Sequence, residues 1–561
     1  MRLARVVSLF AVLLCVSVVL AQEVDDPRAR KVDAMFAELN RAPSPGLAVA
    51  VVRDGKVILR RGYGLASIEH NVPITPSTVF DTASLAKQFT GMAIAMLVQD
   101  GKLALTDDVR KYVPEFPAFG ARPVTIDHLL HHTSGLRDWG ILSIAGWHPT
   151  DDRITFHQLL KMAYAQRTLN FEPGDRYRYS NTGYNVLADV IQRVTGRPLR
   201  VWMQEQLFGP LGMTNTRVRD DYREVIPNRA YGYARGPNGT YRTSVNNVTG
   251  LGSSSVFSTV DDFARWLINM DQATVGGPAA MALTRTPGTL NDGTTSKYAF
   301  GVTVGNYRGL RMVTSAGRWA SFNTFDAWFP DQRYGVVVFA NGDESIADAQ
   351  SAVIRITDLY LEDDFPPVAP SAPSAPEAAR ALPPPLNGYA GLYRAGADSF
   401  LRVRLNGGAL TANVPGEGSV PLAQQSEREF SIEHEDTSES MLFDRDAAGT
   451  VSAVTYRGRR WSRATEEDAR PPARLADYAG DYDSEELGTS YRVVKKDGAL
   501  ELQHRRRGTI PLTWQWRDEW SSAVDFYFGS VAFRRDATGR VTGFVVNGDE
   551  RIRNLAFVKR P

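Results

Sequence analysis

The 561-residue sequence predicts an α/β (α+β) domain, an antiparallel sheet flanked by helices, followed by two small duplicated all-β, barrel-like domains. The chain is too long for one core. Apolar strand patterns bracket helical ones over its first part. The Pro- and Ala-rich segment DFPPVAPSAPSAPEAARALPPP, residues 364–385, then reads as an extended spacer. Beyond it the sequence repeats itself.

The chain begins with Arg2 and Arg5, then the apolar run VVSLFAVLLCVSVVL, then Ala21 and the polar QEVDD. A basic start, a short apolar run and a small residue at its end read as a secretory signal peptide over residues 1–21. A retained membrane anchor is the competing reading, although the run is short for a span. Cys15 is the single cysteine, so cleavage after Ala21 would leave neither thiol nor disulfide. The expectation is an exported protein, periplasmic or secreted, with no membrane contact after cleavage.

Residues 22–363 form the predicted mixed domain. GLAVAVVRDGKVILRRGYG, at 46–64, reads as a hairpin turning at Asp54-Gly55. GMAIAMLVQDGK is a helix stopped at Gly101, and YNVLADVIQRVTG one stopped at Gly196. RYGVVVFAN, at 333–341, is a strand buried on both faces. Strands at both ends with helices between imply a sheet closed by the two termini of the domain.

Residues 386–466 and 473–561 are the two predicted β domains. Tyr389-Ala390-Gly391-Leu392-Tyr393 recurs as Tyr478-Ala479-Gly480-Asp481-Tyr482, Gly408-Ala409-Leu410 as Gly498-Ala499-Leu500, and RDAAGTV at 445 as RDATGRV at 535. The offsets are 89, 90 and 90 residues, one register kept by three matches. So long a period is a duplicated domain rather than a solenoid unit. Alternating runs such as SYRVVKK, broken by DG, NGG and ATG turns, predict antiparallel strands.

Lys+Arg 64 against Asp+Glu 63 leaves almost no net charge, so no polyanionic partner is implied and no nucleic-acid function is expected. The one dense basic run, HRRRG at 504–508, reads as a solvated strand edge, with nucleic-acid binding as the alternative.

Chemistry points first to DTASLAKQFT, residues 81–90. Ser84 and Lys87 are three positions apart, which on a helix puts both side chains on one face. A serine hydroxyl needs a base, and a lysine serves as one only when neutral. Burial at the head of an apolar helix disfavours the ammonium form. A bare Ser-x-x-Lys also arises by chance. The second stretch is GDRYRYSNTGYN, at 174–185, where Tyr179 offers a phenol for proton relay and Asn181 an amide for a carbonyl. Its alternative is a turn in which Ser180-Asn181 caps the next helix.

Together these stretches resemble the serine hydrolases of the β-lactamase/transpeptidase and penicillin-binding-protein fold, in the branch holding class C β-lactamases, D-aminopeptidases, D-alanyl-D-alanine carboxypeptidases and related esterases. The resemblance covers roughly residues 35–355. It runs through FDTASLAKQFT, TIDHLLHHTSGL at 125–136, EPGDRYRYSNTGYNVLADVIQRVTG at 172–196, FGPLGMTNT at 208–216 and FSTVDDFARW at 257–266. It implies Ser84 as the acylated nucleophile, Lys87 as its base, Tyr179 as a second proton-transfer residue and Asn181 as a partner of substrate and Lys87. The Pro-rich spacer and duplicated β domains resemble the D-aminopeptidase arrangement.

The family's third motif, Lys-Thr-Gly or His-x-Gly, aligns with Ser315-Ala316-Gly317 in VTSAGRWASFNTF. A serine therefore stands where a cation or imidazole is expected. Gly317 keeps room for close backbone approach. An oxyanion hole from the Ser84 and Arg318 N–H groups is still available, because it uses no side chain. Strand alternation puts the Arg318 side chain opposite that of Ser315.

The resemblance implies an exported serine hydrolase acting through an acyl-enzyme on an ester, amide or D-amino-acid peptide bond. Its substrate would be a small molecule or peptide, with weak β-lactam turnover because Ser315 brings no charge. No metal or organic cofactor is expected. His128, His131 and His132 invite a zinc reading, but their stretch is structural in the family. The alternative from another class is a binding or sensor protein on the same fold, catalytically weakened at Ser315. The C-terminal domains are expected to shape or cover the cleft entrance.

Overall fold

The computed structural model describes residues 26–41, 43–149, 151–367, 385–396, 399–414, 418–433, 438–469, 474–522, 524–548 and 551–561. The segment read as a signal peptide and most of the Pro/Ala-rich spacer lie outside these residues. Among the described residues no helix is long and apolar enough to cross a membrane.

A six-stranded antiparallel sheet organises the first domain. Its strands are β1 (Leu47–Arg53), β2 (Lys56–Tyr63), β3 (Thr303–Tyr307), β4 (Leu310–Trp319), β5 (Phe322–Phe329) and β6 (Tyr334–Ala340), in spatial order β3-β4-β5-β6-β1-β2. β1 pairs with β6 from Leu47↔Ala340 to Arg53↔Tyr334, so the two ends of the domain meet within the sheet, as the sequence predicts. Both strands read as unbroken apolar runs because both faces are covered. Alternate residues point to opposite faces. Ala48, Ala50, Val337 and Phe339 join one core, while Val49, Val51, Val336 and Val338 join the other. The β1–β2 hairpin turns at Asp54 (φ 51°) and Gly55 (φ 72°), the left-handed pair that a two-residue turn demands.

Helices α1 (Ala86–Gln99), α2 (Asn181–Thr195) and α3 (Val260–Gln272) pack on the first of these cores. Helix α4 (Ala349–Tyr360) covers the opposite face. α1 is buried on nearly every side, which is why its sequence shows so weak an amphipathic pattern. α2 stops at Gly196, whose φ of 65° is the left-handed conformation of a helix C-cap.

The two β domains are closed eight-stranded barrels, the first running from Gly391–Arg394 to Arg459–Ala464 and the second from Gly480–Ser484 to Ile552–Lys559. In each, the first strand pairs with the last, so no edge is left open. The repeat extends to single hydrogen bonds. Tyr393 Oη donates to the Tyr389 carbonyl at 2.6 Å, and Tyr482 Oη to the Tyr478 carbonyl at 2.7 Å.

The second barrel docks on the first domain. Ile141 and Ile144 of the first domain belong to the barrel's own hydrophobic core, and Tyr491 Oη donates to the Ile144 carbonyl at 2.8 Å. The basic run at 504–508 turns at the end of a strand with Arg505 and Arg506 exposed, and two of its arginines also reach across this contact. Arg506 pairs with Asp152 at 2.6 Å, and Arg507 donates to the Ser143 carbonyl at 2.6 Å and also pairs with Asp525.

Candidate active site

Ser84 lies where the chain leaves the short strand Phe80–Asp81 for α1. Residues Ala83–Leu85 form one 3-10 turn, and the α-helix starts only at Ala86. Lys87 is thus the second residue of the helix. Ala83, just before Ser84, has φ 49°, an uncommon conformation for alanine. Asp81 holds it there: its carboxylate accepts from the Ala83 N–H at 3.0 Å and from Asn246 Nδ2 at 2.5 Å. Strain of this kind persists where neighbouring groups fix it.

Lys87 is 1% exposed. Its Nζ donates to Asn181 Oδ1 and to the Ser253 carbonyl, both at 2.8 Å, and stands 3.1 Å from Ser84 Oγ. The two carbonyl oxygens can only accept, so they fix two N–H directions and leave the third aimed at Ser84. In a neutral amine that third direction is the lone pair, positioned to take the serine proton. From the other side Tyr179 Oη reaches Ser84 Oγ at 2.8 Å, and it also lies 3.4 Å from Asn181 Oδ1. The Lys87 ammonium position is 4.8 Å from the Tyr179 ring centre.

Asn181 is oriented by Asp138, a residue that the sequence reading missed. Asp138 accepts from the Asn181 backbone N–H at 2.7 Å and from Asn181 Nδ2 at 3.3 Å, which turns Oδ1 toward Lys87. Asn181 opens α2, and Ser180 before it makes no side-chain cap. Asp138 lies two residues past the family-like stretch at 125–136. A carboxylate at that place was a readable signal. The Ser253 acceptor is a backbone carbonyl and carried none.

The histidines have local partners. His128 Nδ1 accepts from the Thr125 N–H in a capping box, and His131 bridges the Asp127 and Thr286 carbonyls. The helix ends at Leu130, so the three rings do not share a face. His132 packs 4.4 Å from the Tyr179 ring centre, and its Nδ1 accepts from the Ser180 N–H. Burial, then the nearby Lys87, holds its imidazole well below the usual histidine range. It is therefore a neutral wall behind Tyr179. No metal-holding cluster occurs among the described residues.

Strand β4 supplies the facing wall. A Cβ on Gly317 would come 2.9 Å from the Ser84 nitrogen and 2.6 Å from the Thr82 carbonyl oxygen, so only glycine fits. Ser315 is buried and its hydroxyl donates to the Gly301 carbonyl at 3.1 Å, away from the role of a substrate cation. The Arg318 side chain, half-exposed, is paired with Glu344. Behind Ser315, its β5 partner Asp326 is wholly buried. Gln88, next to Lys87, donates to Asp326 at 2.8 Å, and burial pushes that carboxyl up to about 8.

Ser84, Lys87, Tyr179, Asn181, Ser315, Gly317 and Arg318 all line one cavity of about 640 Å³. Tyr527, Arg551 and Ile552 of the second barrel line it too. Arg551 lies 5.6 Å from the Tyr179 ring centre and 3.4 Å from Asp138. The site is thus built from both domains.

The family model described as Beta-lactamase matches residues 32–361. The chain belongs to the beta-lactamase family. It is a serine hydrolase of that fold. It is 30% identical over 319 residues to a D-aminopeptidase of Gluconobacter oxydans, a match covering 56% of this chain and 59% of that relative's length. It is 26% identical over 519 residues to a D-aminopeptidase of Brucella melitensis, covering 90% and 93% of the two chains. Among solved structures, the octameric penicillin-binding protein homologue from Pyrococcus abyssi aligns with TM-score 0.54 at 22% identity, over 77% of this chain and 99% of that one.

Proposed function

We propose that this family member is exported and acts through an acyl-enzyme on an ester, amide or D-amino-acid peptide bond. One observation carries the reading: Ser84 Oγ lies between Lys87 Nζ at 3.1 Å and Tyr179 Oη at 2.8 Å, at the foot of an open cavity. Ser84 Oγ attacks the substrate carbonyl carbon as its proton passes to Lys87. The carbonyl electron pair moves onto oxygen, held by the Ser84 and Arg318 N–H groups. When the tetrahedral intermediate collapses, the bond to the leaving amine or alcohol breaks, and the proton reaches it through Tyr179. Water then adds to the acyl carbon, gives its proton to the same pair, and releases the acid as Ser84 regains its own. The N-terminal signal-like segment supports export. The Brucella relatives, named D-aminopeptidases and matched over 90% of this chain, support D-amino peptides or amides.

A binding or sensor protein on the same fold is favoured only by Ser315, which lacks the charge of the third motif. The test is active-site labelling by a fluorophosphonate and a fluorescent penicillin, on wild type and Ser84→Ala. Labelling that disappears in Ser84→Ala is expected. Wild type that takes neither label would favour the sensor.

A further inference from the structure

We propose that Glu439 of the first barrel is a positioning residue for Tyr179, acting through Arg178. The inference rests on the hydrolase reading above and gives the first barrel a part in that same site. Glu439 lies on the barrel strand Ser438–Arg445. Its carboxylate is held from within the barrel: Tyr456 Oη and Arg457 Nε both donate to Oε2 at 2.7 Å. The strand ladder brings these donors close, since Met441 pairs with Tyr456. The other oxygen, Oε1, reaches the first domain and accepts from Arg178 Nη2 at 3.2 Å. The Arg178 and Glu439 side chains are only 14% and 24% exposed, so salt screens this pair less than one on open surface.

Arg178 immediately precedes Tyr179. Residues 176–180 belong to no helix or strand, so no ladder fixes this stretch. Individual bonds hold it instead. The Arg178 N–H donates to the His132 carbonyl at 2.9 Å, and the Ser180 N–H to His132 Nδ1 at 3.2 Å. Arg178 Nη1 donates to the Tyr177 carbonyl at 3.0 Å, folding the guanidinium back on its own loop. From there the Arg178 side chain goes to the first barrel, while the Tyr179 side chain goes to Ser84. A hold on Arg178 is therefore a hold on the backbone that carries the phenol. Proton transfer needs hydrogen-bond contact, and a displacement of about 1 Å can cost about a hundredfold in rate. The ring of Tyr179 packs on His132 and faces Arg551 of the second barrel. Both barrels thus converge on one side chain, the second at its ring and the first at its backbone.

The test combines steady-state kinetics of a p-nitrophenyl ester with fluorine NMR of a ring-fluorinated tyrosine at position 179, all on the full-length protein. Glu439→Ala and Arg178→Ala should each lower kcat about tenfold or more, with KM within about twofold. Because both act through one contact, the double variant should be no slower than the slower single one. Arg178→Lys should recover part of the loss. The fluorine signal should shift or broaden in Glu439→Ala. Asp444→Ala removes the ion-pair partner of Arg428 and Arg460 on the same barrel, and it should leave kcat and the signal as in wild type. Wild-type kcat in Glu439→Ala, losses that multiply in the double variant, an unmoved fluorine signal, or an equal loss in Asp444→Ala would overturn the proposal. Failure of the hydrolase reading looks different: wild type turns over no ester and takes no Ser84 label, while the fluorine signal still responds to Glu439→Ala.

Discussion

Arg137, wholly buried in the first domain, donates to the carboxylate of Glu486 in the second barrel at 2.9 Å. Its Nε also donates to the Arg553 carbonyl at 2.9 Å. The next residue is Asp138, which orients Asn181. One dipeptide thus joins barrel docking to the site.

Removing one partner of a buried ion pair leaves an uncompensated charge. Glu486→Ala should cost about 3–5 kcal/mol and loosen the barrel. Arg137→Met with Glu486→Leu should recover most of that loss. The measurement is denaturation of wild type, Glu486→Ala and the Arg137→Met/Glu486→Leu double variant. A Glu486→Ala protein as stable as wild type would show that the pair is not what holds the contact.

Lys87 offers a sharper chemical test. An arginine stays protonated at any usable pH, so Lys87→Arg should lose about 10²–10⁴-fold in kcat, nearly as much as Lys87→Ala. Circular dichroism should change far less than activity. Near-normal turnover by Lys87→Arg would reduce Lys87 to a positive charge.

Asp138→Asn replaces an acceptor pair by one acceptor and one donor. The Asn181 amide is then free to turn its NH2 toward Lys87. A drop of about ten- to a hundredfold in kcat, larger than any change in KM, is expected. Steady-state kinetics with an ester reads it, and equal losses in both parameters would point to simple unfolding of the loop.

Asp326 should write itself into the pH dependence of stability. Its carboxyl titrates near 8 in the fold against an ordinary 3.8. Between those values the folded protein keeps a proton that the unfolded chain has released. Stability therefore falls as pH rises from about 4 to about 8, by up to about 1.4 kcal/mol per unit. Asp326→Asn should flatten that slope, matching wild type near pH 4 and exceeding it near pH 9. Urea melts across this range would show it, and parallel curves would contradict it.

Ser315→Lys should raise kcat/KM for a penicillin relative to a neutral ester by about tenfold or more, by adding one charge-assisted contact. No gain would mean that β4 does not face the substrate carboxylate.

The sheet and its helices were legible because their signals are local and periodic: VVRDGKV turns where it must, and Gly101 and Gly196 stop helices. The duplicated barrels were legible from three matches in one register. Ser84, Lys87, Tyr179 and Asn181 were legible because each pair is close in sequence, even though the pairs meet only in space. Asp138 was missed because its role is to hold another side chain. Arg551 was beyond reach for a different reason. Nothing near it in sequence concerns catalysis, and only the docking of a separate barrel brings it over Tyr179. The run HRRRG is exposed at Arg505 and Arg506, but charge density on a strand turn does not show that Arg506 and Arg507 also reach the first domain.

The two barrels differ where the second one meets the cleft. In the first, the closing hairpin joins Val451–Tyr456 to Arg459–Ala464; in the second it joins Val541–Gly548 to Ile552–Lys559. The strands are longer by two residues in the second copy, and its hairpin is the one that delivers Arg551. Duplication explains how such a change is tolerated. A barrel closed by its own first and last strands keeps its fold whatever happens at a hairpin tip. Selection can then lengthen, shorten or recharge that tip as it would an antibody loop, retuning which substrates enter without touching Ser84, Lys87 or Tyr179.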